Sequence, residues 1–181
     1  MLIWACDFRQ NSGEGKLARL FVEKFYSKSK IEIIIVTPDC NYLLFDGSYK
    51  IIKRKKYVNY NNFFFKYLYP FIGCLFSWYS FFHGKKFIYV NYLPLWNFLL
   101  FLLFAPNTNL GPITGSNRYR AFNFRLLIPI LYNISKYIVN FRHKKTIFAT
   151  DNLKKYFKKK DKNKKFNFVL NYLNSKATKI T

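Results

Sequence analysis

Residues 2–39 read LIWACDFRQNSGEGKLARLFVEKFYSKSKIEIIIVTPD, and the order of patterns along this stretch decides the fold. LIWACDF is an apolar run of strand length that leads into the polar, glycine-bearing loop RQNSGEG. From Lys16 onward Leu17, Leu20, Phe21 and Phe25 recur at helical spacing, with Arg19, Glu23 and Lys24 on the other face and Ser12 placed to cap the start. KIEIIIVTPD then supplies a β-branched strand closed by Pro38. A β-α-β unit with a right-handed crossover makes its two strands parallel in one sheet.

Outward from that unit the alternation continues. YLLFDGSYKIIKRKKYVNY reads as a hairpin or as a short strand with a charged exit, and FFFKYLYPFIGCLFSWYSFF, residues 63–82, as one or two helices broken at Pro70. FIYVNYLP is a third buried strand ended by Pro94, followed by the apolar helix LWNFLLFLLFA and by TNLGPITGSN as a strand or extended loop. AFNFRLLIPILYNISKYIVNFR is a helix that Pro129 should kink. KTIFATDNLKKYFKKK gives a strand, a turn capped by Asp151 and a short helix burying Leu153, Tyr156 and Phe157, and KKFNFVLNYL a last strand. The expected fold class is α/β, a Rossmann-like parallel sheet flanked by helices. A single domain over residues 1–172 is expected, with 173–181 as the start of a linker or tail.

The chain has 181 residues and a formal net charge of +23, with pI near 10.0. So basic a surface suits a phosphate-bearing partner, although the wealth of Lys, Asn, Ile, Phe and Tyr is also what an A+T-rich coding sequence produces. KKKDKNKK reads first as a solvated turn. The basic residues form no recognisable reading helix or RNP-type pattern, so no nucleic-acid partner is expected. Cys6, Cys40 and Cys74 are far apart, odd in number and show no C-x-x-C spacing, which suggests neither a disulfide framework nor a zinc site and fits reduced thiols in a cytoplasm. MLIWACDFRQ lacks a basic start and carries Asp7 inside its apolar segment, unlike a secretory signal. Residues 63–82 have the length of a bilayer span, but contain Lys66 and Pro70 and are rich in aromatic residues, which suits an interfacial surface or an aromatic core.

Three readings compete for the glycine loop. A P-loop fails twice, because Gln10 stands where its first glycine belongs and Leu17 where its hydroxyl belongs. The dinucleotide fingerprint matches Gly13, Gly15 and Ala18, with Asp39 about 20 residues further on as the ribose acid, but four residues intervene between the apolar strand run and the first glycine. The third reading is a substrate loop at the carboxyl end of the first strand, in which backbone N–H groups, the helix N-terminus and Lys16 face a ligand. Beside all three stands a plain βα turn capped by Ser12.

WACDFRQNSGEGKLA, YVNYLPLWNFLLF, LGPITGS and IFATDNL together resemble the N-terminal domain of bacterial GT-B glycosyltransferases, specifically the group-1, family 4-like enzymes of lipopolysaccharide and surface-polysaccharide synthesis. The resemblance covers essentially the whole chain, and it implies the acceptor-binding half of a two-domain enzyme, truncated or split from its donor half. It implies substrate-binding positions at Asn11, Ser12, Gly13, Glu14, Gly15 and Lys16, at the strand end Asn91, and at Thr114, Gly115 and Ser116. Relatives place a histidine or an acid near these positions; here YVNYLP offers Asn91, and neither His83 nor His143 falls at a matching strand end. No catalytic base is named, since Asp7 and Asp151 read first as structural or capping residues.

The implied chemistry is attack of an acceptor hydroxyl on the anomeric carbon of a nucleotide-sugar, without metal or cofactor. The nucleotide-sugar would bind only with a C-terminal domain or partner chain, and the acceptor would be a saccharide or a lipid-linked one. An anionic membrane surface is the further expected partner, met by Lys53, Arg54, Lys55 and Lys56 with Phe63 to Tyr69 inserting, at the inner face of the cytoplasmic membrane. The alternatives are a small basic membrane protein spanning at residues 63–82 and a dinucleotide-binding Rossmann protein.

Overall fold

The computed structural model describes residues 1–27, 29–55, 60, 62–114, 127–143, 146–148, 153 and 167–168. They fall into two compact units. The first comprises Met1–Asn91 with Leu103–Thr108, and the second Tyr92–Leu102 with the described residues from Asn109 onward. The architecture is α/β with a Rossmann-like arrangement of mostly parallel strands and flanking helices.

In the first unit β1 (Leu2–Trp4), β2 (Ile33–Val36) and β5 (Phe87–Tyr89) are parallel, with β1 between the other two. The ladder runs one residue past β1, because Ala5 N–H donates to Val36 O at 3.0 Å and Val90 N–H to Trp4 O at 3.2 Å. β3 (Cys40–Phe45) and β4 (Ser48–Arg54) form an antiparallel hairpin on the far side of β2. Its turn is Asp46-Gly47 with φ of 46° and 74°, the double positive φ that matches the twist of a two-residue hairpin. Of the two readings of residues 42–60, the hairpin is the one formed.

Helix α1 (Gly13–Tyr26) starts three residues earlier than its apolar periodicity, because Ser12 Oγ accepts the Gly15 N–H at 2.9 Å and recruits the two glycines into the first turn. Its inward residues include Ala18, Phe21 and Val22, each about 2% exposed or less. Phe25, expected in the buried stripe, is exposed. Arg19, expected on the solvent face, instead lies 4.5 Å from the Phe8 ring centre and donates Nε to Phe8 O at 2.6 Å.

Helix α2 (Phe63–Phe82) passes through Pro70 without interruption, so the expected break is absent. Loss of one backbone donor is outweighed by packing of the helix on β1 and β5. Gly73 makes that packing close: a Cβ there would stand 2.7 Å from Trp4 Cδ1 and 3.2 Å from Tyr89 Cδ2. Trp4 in turn stacks on Phe76 at 5.0 Å and on Tyr69 at 6.3 Å. Burial of Ile3, Ile33, Ile35, Leu44 and Ile88 completes this core, each side chain contributing roughly 1.5–3 kcal/mol. Among the described residues no helix is long and apolar enough to cross a membrane.

In the second unit β6 (Leu93–Pro94), β7 (Asn109–Thr114), β8 (Thr146–Phe148) and β9 (Asn167–Phe168) pair in parallel in that order. Helix α3 (Phe98–Leu103) occupies only part of the apolar run expected to be helical. Helix α4 (Leu127–Arg142) contains Pro129 close to its first described residue. Leu153 is buried as expected. Asp151, Tyr156, Phe157, the lysine run at 158–165 and the tail 173–181 lie outside the described residues.

Candidate substrate-binding site

The chain leaves β1 toward β2 on one side and places β5 on the other, so the carboxyl ends of β1 and β5 flank the point where strand order reverses. Open α/β sheets take their ligands at such a point. Here Asp7 and Asn91 meet across it. Asn91 Nδ2 donates to Asp7 O at 3.1 Å, and Asp7 N–H donates to Asn91 Oδ1 at 3.4 Å. Asn91 is 1% exposed, so its amide extends the β1–β5 ladder after the strands have ended.

The Asp7 carboxylate is turned toward its own loop. Oδ1 accepts Arg9 N–H at 3.0 Å and Nε at 3.1 Å, and Oδ2 accepts Nη2 at 2.9 Å. Burial by itself would raise the Asp7 pKa, but the hydrogen bonds from Arg9 and Ser12 and the guanidinium charge together hold it below the usual carboxylate value. Asp7 is therefore an ionised structural acid, with both oxygens engaged. Arg9 also stacks 3.8 Å above the centre of the Tyr60 ring.

Tyr60 OH donates to Asp39 Oδ1 at 2.7 Å, and Thr37 Oγ1 lies 2.6 Å from the same oxygen. Burial and then the bond to Asp39 push the Tyr60 phenol up. Lys55 Nζ donates to Thr37 O at 2.6 Å, and burial lowers its pKa. Sequence reasoning found Asp39 only as a ribose acid and did not find Arg9, Thr37 or Tyr60 at all. Their association depends on the β2–β3 turn and on Tyr60 returning from a distant segment, and leaves no spacing signal.

Gly15 is the tight point of the loop. A Cβ on it would overlap the Arg9 main chain and stand 2.6 Å from Ser12 Oγ. In the dinucleotide fingerprint this second glycine clears room for a pyrophosphate, whereas here the room is filled by the loop itself. A Cβ on Gly13 would meet nothing within 4 Å. Asn11, Gly13, Glu14 and Lys16 form the exposed rim; Ser12 and Gly15 face inward and hold its shape.

The expected site residues thus divide. The loop Asn11–Lys16 and Asn91 both belong to the first unit, where Asn91 is buried with its amide bonded to the Asp7 main chain. Thr114 belongs to the second unit, where its carbonyl accepts Leu95 N–H at 2.8 Å. Gly115, Ser116 and Lys56 lie outside the described residues. Lys53 and Arg54 are exposed on β4, which ends the strand order of the first unit, and charge there also deters edge-to-edge pairing. The Lys55 ammonium is committed to the Thr37 carbonyl. His83 is exposed at the end of α2, and His143 is buried with Nε2 2.8 Å from Phe101 O. Among the described residues no three His, Cys, Asp or Glu side chains cluster to hold a metal ion.

Fold and site define an α/β protein of Rossmann-like type with a polar loop at its strand-order reversal. No protein-family model, no curated protein and no solved structure matches the chain.

Proposed function

We propose that this chain is the acceptor-binding half of a GT-B glycosyltransferase of lipopolysaccharide or surface-polysaccharide synthesis, peripheral to the inner face of the cytoplasmic membrane. The observation that carries the reading is the composition of the rim at the strand-order reversal. An amide (Asn11), a carboxylate (Glu14), an ammonium (Lys16) and the open backbone at Gly13 stand exposed together. Such a rim offers donors and acceptors to hydroxyl groups with little net charge. Glu14 in the first turn of α1 offsets the positive end of the helix, which makes the loop better suited to a saccharide than to a diphosphate.

In this reading the chain orients the acceptor hydroxyl, and a second Rossmann-like half, on the same polypeptide or on a partner, holds the nucleotide-sugar. The hydroxyl attacks the anomeric carbon and the nucleoside diphosphate leaves, its charge stabilised by N–H groups and cations of that other half.

Saturation-transfer NMR of the purified chain with a panel of mono- to trisaccharides, nucleoside diphosphates and NAD(H) tests the reading. Saccharide binding that Asn11→Ala and Lys16→Ala weaken several-fold is expected. Binding of NAD(H) with no response to any saccharide would sink the proposal in favour of a dinucleotide-binding protein. Sugar transfer by this chain without a donor half would overturn the division of labour.

A further inference from the structure

Helix α2 carries large apolar side chains on the side away from the first unit as well as on the side packed against it. The side it turns to the first unit carries Gly73, Cys74, Ser77 and Ser80 together with Tyr69 and Phe76, which stack on Trp4; Ser77 is 1% and Ser80 0% exposed. Ser77 Oγ donates to Cys74 O at 2.7 Å and accepts Ala105 N–H at 3.0 Å, so this side is committed to the protein. The opposite side carries Leu68, Phe71, Leu75, Tyr79 and Phe82, with Leu75 70% and Phe82 75% exposed. Their spacing of three or four residues makes them one continuous stripe. A helix whose outer side faces water carries polar residues there.

Charge indicates what covers the stripe. The sequence has no Asp or Glu between Asp46 and Asp151, and α2 lies within that acid-free stretch. Exposed Lys85 and Lys86 follow its last turn. Large apolar and aromatic side chains with cations at one end, on a helix already anchored by its other side, match the chemistry of an anionic bilayer interface. A second copy fits poorly, since each chain carries +23. Within the second unit α4 likewise exposes Leu127, Ile130, Ile134, Tyr137 and Phe141, while Tyr132, Ser135 and Val139 are buried.

We infer that α2 lies in the plane of an anionic membrane surface, with Leu68, Phe71, Leu75, Tyr79 and Phe82 among the acyl chains and Lys85 and Lys86 at the phosphate headgroups. This moves the contact from the β4 patch of Lys53 and Arg54 to the outer side of α2, and it holds whether or not the chain binds a saccharide.

Flotation with phosphatidylcholine vesicles, and with vesicles containing about one third phosphatidylglycerol, tests the assignment. Wild type is expected to float with the anionic vesicles, and Lys85→Ser with Lys86→Ser to bind them on the order of tenfold more weakly. Leu75→Ser with Phe82→Ser is expected to abolish binding while circular dichroism and the urea midpoint show an intact fold. Lys53→Ser with Arg54→Ser should change binding no more than about twofold. The inference is overturned if wild type ignores anionic vesicles or if the folded Leu75→Ser, Phe82→Ser variant binds as wild type does. It is also overturned if that variant only dissolves a dimer, which would make the stripe a contact between copies.

Discussion

Asn91 and Asp7 exchange two hydrogen bonds, amide to main chain, at 3.1 and 3.4 Å, and so tie the carboxyl ends of two parallel strands together beside the loop that follows β1. Asn91→Ala leaves a buried N–H and a buried carbonyl without their partner, at a cost of roughly 1–3 kcal/mol. Asn91→Asp keeps the shape but replaces the donor to Asp7 O by an acceptor, and should cost more. Urea unfolding monitored by tryptophan fluorescence checks the order wild type, Asn91→Ala, Asn91→Asp; an unchanged midpoint for both variants would mean that the tie contributes nothing.

The Asp7–Arg9 pair has a pH signature. The folded pKa of Asp7 lies below its unfolded value, so its contribution is fully present above the unfolded carboxylate range near pH 4 and is lost as pH falls through the folded value. Arg9 is about one third exposed, and solvent screening limits the effect to about 1 kcal/mol. Asp7→Asn is expected to be less stable than wild type at pH 7 and to approach it near pH 3. Parallel stability curves for the two proteins across that range would refute the assignment.

Gly13 and Gly15 should respond oppositely to the same substitution. Gly15→Ala forces a Cβ into the Arg9 main chain, which cannot move without breaking the Asp7 contacts; a loss of roughly 1–3 kcal/mol is expected. Gly13→Ala meets open space in a helical turn, and should be neutral or stabilising by up to about 1 kcal/mol. Thermal midpoints of the two single variants decide the matter, and equal shifts would contradict the loop geometry.

Two of the three thiols should be inert. Burial pushes Cys6 and Cys74 up to about 12, so at pH 8 almost no thiolate is present at either. Cys6 and Cys40 are each partly exposed and Cys74 is buried, but the Cys6 thiol is engaged with Tyr89 Oη at 3.2 Å. Iodoacetamide at pH 8 followed by peptide mass spectrometry should label Cys40 first and the other two only on denaturation. Labelling of Cys6 as early as Cys40 would contradict the hold of Tyr89 on its thiol.

Much of the fold can be read from local pattern. The β-α-β order of residues 2–39, the Ser12 cap and the Asp46-Gly47 turn each depend on residues close together in the chain, whose spacing or φ preference carries the signal. Where local rules erred, a tertiary contact outweighed them. Pro70 should have broken α2, but packing on Trp4 and Tyr89 holds the helix together. Arg19 should have faced solvent, but the Phe8 ring and carbonyl hold it. Lys55 looked like surface charge until its ammonium met Thr37 O.

By itself the sequence determined the alternation of strands and helices, the strong positive charge and the position of the polar loop, because periodicity, composition and capping are local properties. Only the tertiary structure decided that Asn91 would meet Asp7, that Gly15 serves its own loop, and which side of the aromatic helix faces outward. An almost uniformly apolar helix carries too weak a periodic signal to orient itself; its direction is set by the small residues that let it approach the sheet, and those act only once the sheet is formed.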